Sequence, residues 1–285
     1  MWIDHLVSGV SFGMLLFLIA SGLTLIFGLM GLLNLAHGAF YLIAAYLMLE
    51  LLREDLNYWL AVAITVAAVT VVGMIIELVL LHRFVNQVLP QIVVTVGLAL
   101  IAADLILDRY GGYPVTPPRP PGLSGSIEVA GHFFPKIRIA VIVLGVAVGL
   151  LMWLLLSRTR VGVMIRAAVD DEAVARSVGI PVPKLFVGVF GIGVALAALA
   201  GIFGGALSGL SPGVDFRMLL LSVVVVVVGG LGSLAGAFVA SLLVGLITQF
   251  GVVAFPSMAQ FALFVPVALF LAFRPRGLFG KEGLA

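Results

Sequence analysis

Between Leu6 and Leu52 the chain carries a single formally charged side chain, Glu50. Wound into one helix, that stretch would be about 70 Å long against a bilayer hydrocarbon core of about 30 Å, so it must turn back on itself. Gly28, Gly31 and Asn34 supply the break, giving one crossing over 6–29 and a second over 35–52. A polar turn, REDLN at 53–57, comes next, with Tyr58 and Trp59 suited to the membrane interface. Further apolar segments cover 60–81, 91–107, 139–156, 185–207, 218–230, 234–250 and 261–273. The run at 218–230 would be only about 20 Å long as a helix, so it reads as a half-helix or re-entrant segment. The expected fold is therefore all-α: one transmembrane domain over 1–285, a polytopic membrane helix bundle of about eight or nine hydrophobic segments. Broken or re-entrant helices are expected near 28–34 and 218–233.

Hydrophobic residues make up 63% of the chain and charged residues 10%, where a soluble domain has about 25% charged. A net charge of +2 and the lack of a basic cluster interleaved with aromatics exclude a nucleic-acid partner. Without cysteine there is no disulfide, thiolate metal site or cysteine nucleophile. The histidines, His5, His37, His82 and His132, are scattered and form no metal motif. GGLGSLAG at 229–236 has the spacing of a dinucleotide turn, but no acidic residue follows until Glu282, so that reading fails. No phosphate-cradling G-x-x-x-x-G-K-[ST] loop occurs either, so the chain is not expected to be an enzyme of that kind. The N-terminus lacks a basic region before its apolar run and reads as a first membrane segment, not a removed signal peptide.

Two polar stretches interrupt the oil. Residues 109–138 hold YPVTPPRPP, whose prolines forbid a spanning helix and favour extended chain outside the bilayer. Residues 157–184 are charged and amphipathic, and within them VDDEAVARSVGIP predicts a short helix over Asp170 to Val178. Asp170 is the expected N-cap, Asp171 and Glu172 fill the first turn, Arg176 the last, and Gly179 and Pro181 end it. Val174 and Val178, four apart, would form an apolar ridge. Two readings stay open: a solvated membrane loop, or a docking helix for a soluble partner. Arg83, Arg158, Arg160, Arg166, Arg176, Lys184, Arg274, Arg276 and Lys281 would share the side of this loop, against the remaining six of the 15 basic residues, which makes that side cytoplasmic.

Small residues recur every four positions at Gly193, Ala197, Gly201, Gly205 and Gly209, a stripe that lets another helix approach closely where lipid offers no hydrophobic drive. Gly232, Gly236 and Ala240 repeat the pattern. LNLAHGAF at 33–40 also matches GSLAGAF at 232–238, one gap apart, as an internal repeat or as chance in apolar sequence. Asn34 and His37 fall on one face beside Gly38, either as a cap with a packed histidine or as polar groups lining a path. Glu77 lies one turn from His82 and Arg83, within reach of the interface or a partner.

LNLAHGAF, SRTRVGVMIRAAVDDEAVARSVGI, VVGGLGSLAGAF and the terminal RPRGLFG, taken in order, resemble the permeases of branched-chain amino-acid ABC importers, the LivH-like family. The resemblance covers nearly the whole chain. It implies a multi-pass permease of a bacterial-type cytoplasmic (inner) membrane, C-terminus in the cytoplasm, working by alternating access. It also implies a second related permease, two cytoplasmic ATPase subunits that hold the ATP and Mg, and an extracytoplasmic substrate-binding protein, all within membrane lipid. Coupling to the ATPase would fall to Asp170, Asp171, Glu172, Val174, Arg176, Val178 and Gly179. The translocation path would involve Asn34, His37, Gly38, Gly232 and Ser233. The chain departs from the importer loop pattern of E-A-A followed by glycine: Glu172, Ala173 and Val174 precede a glycine, Gly179, one residue late. Urea or short amides are alternative substrates. From another class, a self-sufficient channel or ion-coupled carrier is the competing function.

Overall fold

The computed structural model describes residues 2–31, 34–84, 87–129, 131–254, 256 and 261–279. Leu33 of LNLAHGAF, Gly280 of RPRGLFG and Lys281 lie outside them. Among the described residues eleven α-helices form the architecture: α1 Trp2–Met30, α2 His37–Arg53, α3 Tyr58–Val79, α4 Val88–Tyr110, α5 Lys136–Arg158, α6 Arg160–Asp170, α7 Glu172–Ser177, α8 Val182–Ser208, α9 Val214–Gly229, α10 Leu234–Ala254 and α11 Phe261–Phe273. Six of them, α1, α3, α4, α5, α8 and α10, are long and apolar enough to cross a membrane. Each of the nine expected apolar segments is a helix, and the fold is the expected polytopic bundle.

Three boundaries differ from the sequence expectation. α9 starts at Val214, four residues before the apolar run, because Gly213 takes a left-handed φ of +83° and turns the chain straight into the helix. Asp215 and Arg217 are thereby helical. α4 and α5 extend into the Pro-rich stretch, where β1 (Ser126–Val129) pairs antiparallel with β2 (His132–Pro135). Finally, 157–184 holds two helices, α6 and α7, where one was expected.

Two helices form the centre. Within its most apolar stretch α1 is 83% buried and α8 72%, against 11% for α4 and 17% for α5. A helix apolar all round suits this position, since no side of it needs to meet water. The glycine stripe explains how the centre closes. A Cβ at Gly22 would lie 2.6 Å from the Gly193 carbonyl oxygen, and one at Gly201 would lie 2.1 Å from that of Tyr41, so α8 touches both α1 and α2 at backbone distance. Ala197 between them is fully buried. Gly205 meets Leu210 and Pro117. Gly209 ends the helix at φ +79°, its N–H donating to the Gly205 carbonyl at 2.8 Å. Glu77 is fully buried in α3, 3.6 Å from His82 Nδ1.

The two polar stretches mark opposite ends of the bundle. Val115 and Leu210 exchange backbone hydrogen bonds of 2.9 and 2.7 Å, joining the Pro-rich loop to the chain after α8. Arg138, at the start of α5, donates to Ser8 near the start of α1. At the other end, the last turns of α1 and α6, the α9–α10 turn and the chain tail enclose a common cavity.

Candidate translocation and coupling site

α2 begins inside the bundle. His37 Nε2 lies 3.0 Å from the carbonyl oxygen of Ile19, and since a carbonyl only accepts, that nitrogen carries the proton. Ile19 sits near the middle of α1, so α2 starts at mid-depth, level with the centre of α1. The Asn34 side chain accepts from the Ala36 N–H at 3.0 Å and holds the turn. A Cβ at Gly38 would lie 2.3 Å from the Asp215 carbonyl oxygen, so α9 begins against the first turn of α2. Two helix N-termini, with their partial positive charge, thus meet at mid-depth. Asn34 and His37 are fully buried, and Asn34 Nδ2 and His37 Nδ1 lack a hydrogen-bond partner among the described residues. The structure brings Asn34, His37 and Gly38 together, and none of the three lines either of the cavities described below.

Asp215 and Arg217, in the first turn of α9, are the charged groups that sequence reasoning assigned to a loop. Asp215 is 7% exposed and its carbonyl packs on Gly38 of α2, whereas Arg217 is exposed. Two positions apart on a helix, they point to different sides. An arginine at membrane depth is costly unless its head group meets water, an anion or a partner. Arg217 lines a cavity of about 450 Å³ between α9, α10 and α11, with Phe216, Leu220, Thr248, Val252 and Leu263 on its walls. The signal was present in Pro212-Gly213, a turn placed so close to Asp215 that it leaves no loop for these charges.

At the far end, Gly232 and Ser233 belong to the α9–α10 turn. A Cβ on Gly236 would lie 1.9 Å from the Gly229 carbonyl oxygen, and one on Gly28 would lie 3.1 Å from Gly232 Cα. Ser233 Oγ accepts from the Gly236 N–H at 3.1 Å and caps α10. The matched residues of the two repeat-like motifs therefore do matched work: Asn34 and Ser233 hold turns before helices, while Gly38 and Gly236 rest on the first and last turns of α9. RPRGLFG also acquires a role. The N–H groups of Leu278 and Phe279 donate to Val228 and Gly229 at 2.8 and 3.1 Å, satisfying carbonyls that the end of α9 leaves open. Gly277 permits this with φ +75°, its would-be Cβ lying 2.6 Å from the Val227 oxygen. Phe279, Gly28, Gly232, Ser233, Arg166 and Asp170 all line one cavity of about 250 Å³.

Arg166 and Asp170 come from α6, which Thr159 caps by accepting from the Gly162 N–H at 3.1 Å. The cap of α7 is Asp171, accepting from the Val174 N–H at 3.0 Å. Asp170 instead ends α6, because Asp171 takes the extended conformation (φ −157°) that separates the two helices. Of two adjacent acids only the one in extended backbone can cap. Glu172 pairs with Arg176 one turn on. Gly179, at φ +86°, closes the other end with its N–H on the Arg176 carbonyl, while Ile180 donates to Ala175, both at 3.0 Å. Six residues make too short a helix to persist alone, so these caps and the burial of Ala175 hold it. Val174 is 57% exposed, and Val178, which stands just past the helix as its C-cap, is 70% exposed. The expected apolar ridge is present and uncovered.

Residues 5–273 match the family described as branched-chain amino acid transport system, permease component. The chain is 28% identical over 299 residues to the high-affinity branched-chain amino acid transport system permease protein BraD of Pseudomonas aeruginosa, covering 98% of this chain and 96% of that protein. It is 27% identical over 301 residues to LivH of Escherichia coli, with the same coverage. The fructose import permease protein FruF of Bifidobacterium longum is 27% identical over 262 residues, 88% of this chain and 72% of that one. Among solved structures, PsaBC from Streptococcus pneumoniae in complex with Fab shares the fold at TM-score 0.51 and 12% identity, covering 93% of this chain and 89% of the other.

Proposed function

Because the chain belongs to the branched-chain amino acid transport system permease family, we propose that it is the membrane permease of an ABC importer for branched-chain or related hydrophobic amino acids. It pairs with a second related permease in a bacterial-type inner membrane, receives substrate from an extracytoplasmic binding protein at the Pro-rich end, and docks two cytoplasmic ATPases at the tail end. ATP and Mg sit on those ATPases. The observation that carries this reading is α7, capped at both ends yet presenting Val174 and Val178 uncovered. A ridge on a helix capped at both ends is suited to transmit a push from a soluble partner.

The push has a short route inward. α7 follows α6 after one extended residue, and α6 supplies Arg166 and Asp170 to the cavity that Gly28, Gly232 and Ser233 also line. Movement of α6 therefore changes the shape of the cavity that the α9–α10 turn lines. At mid-depth the N-termini of α2 and α9 offer positive ends to a carboxylate, with Asn34 and His37 fixing their relation. Gly193 and Gly201 keep α8 against α1 and α2, with Ala197 buried between them, while Gly205 and Gly209 pack the end of α8 on the Pro-rich stretch.

The substrate is tested in intact cells. Labelled leucine should enter in a manner competed by isoleucine and valine, and not by fructose, urea or acetamide. Competition by fructose or acetamide, with no response to valine, would overturn the amino-acid assignment.

A further inference from the structure

We propose that the cavity between α9, α10 and α11 is a substrate site in which Arg217 recognises the carboxylate of an amino acid; the proposal rests on the transport reading above. Among the residues lining this cavity, Arg217 is the one charged group. It is a groove open on one side, its lining otherwise apolar: Phe216, Leu220 and Val252 are exposed at its rim, Leu263 is buried at its base, and Thr248 is the remaining polar side chain. Such a lining suits a ligand with one anionic end and an aliphatic body. A volume of about 450 Å³ lies in the range of small-molecule pockets, about 300–1,000 Å³.

The guanidinium has no ion-pair partner among the described residues, and the nearest acid along the helix, Asp215, is buried, with its Oδ1 lacking a hydrogen-bond partner among them. Gly213, at the N-terminus of α9, also lines the cavity, and no side chain caps that helix. The positive end of the helix and the Arg217 fork therefore act on the same space. Thr248 donates its hydroxyl proton to the Val244 carbonyl at 2.7 Å, which leaves its oxygen free to accept from an ammonium group. The contact of Gly38 with Asp215 places this first turn at mid-depth, where a bound carboxylate would compensate an otherwise unpaired cation.

The test is competition binding of labelled leucine to the complex purified from its own membrane, with leucine and leucinol, which lacks the carboxylate, as competitors. Wild type should bind leucine at least about tenfold more tightly than leucinol, Arg217→Ala should abolish that difference, and Arg217→Lys should keep part of it. An unchanged preference in Arg217→Ala overturns the proposal, as does a wild type that does not distinguish the two ligands. Failure of both variants to stay in the complex also overturns it, by making Arg217 a packing residue. If intact cells take up leucine and the preference survives in Arg217→Ala, only the Arg217 assignment fails; if they take up no branched-chain amino acid, the transport reading fails with it.

Discussion

Replacing Gly236 with valine is expected to remove most of the correctly folded chain from the membrane, whereas Gly188→Ala should leave its amount unchanged. The first Cβ would sit 1.9 Å from a backbone oxygen, that of Gly229, and only four residues separate α9 from α10 at this point, so neither helix can step aside. Overpacking typically costs about 1–3 kcal/mol where side chains can adjust. Here the obstacle is backbone on both sides, which puts valine at the upper end or beyond it. A Cβ on Gly188 has no neighbouring heavy atom within 4 Å and gains the helix preference of alanine over glycine, about 1 kcal/mol. Comparing the monodisperse fraction of detergent-extracted chain for both variants checks the pair. Equal amounts of the two would mean that the α9–α10 contact is not built as described.

The second large effect is functional. Changing Val174 to aspartate together with Glu172 to lysine should reduce uptake by at least about tenfold while the chain stays folded in the membrane, since burying a valine in an interface contributes about 1.5–3 kcal/mol. Stability should hardly respond. Val174 is more than half exposed, and the Glu172–Arg176 pair is a solvent-facing i,i+4 contact worth about 0.3–0.5 kcal/mol. Ala175→Asp, by contrast, places a charge at a position 2% exposed and should disrupt α7 itself. Normal uptake with normal ATPase co-purification in the double variant would move the coupling function away from α7.

The bundle was legible in the sequence because length and oil decide it: no single helix can hold residues 6–52, and each later apolar run has room for one helix. The stripe at Gly193, Ala197, Gly201 and Gly205 was legible for the same kind of reason, since small residues have no value against lipid and much value against another backbone. What escaped was depth. That His37 lies level with Ile19, 18 residues back along the chain, depends on how the helices pack, and no local pattern records it. Reading hydropathy from its apolar centre outward also trimmed Asp215 and Arg217 from α9, because charges at a segment end look like loop. The cap moved from Asp170 to Asp171 since adjacent acids are equivalent until backbone dihedrals separate them. RPRGLFG was visible as a motif, but its hydrogen bonds to the end of α9 are made by backbone, which side-chain identity does not reveal.

The central claim, a permease driven by separate ATPases through α7, is tested most directly by leucine flux into liposomes holding either the purified chain alone or the full complex, with and without enclosed ATP. Flux should appear only with the full complex and ATP. Leucine entry through the chain alone, without nucleotide, would contradict the account and identify a channel or ion-coupled carrier.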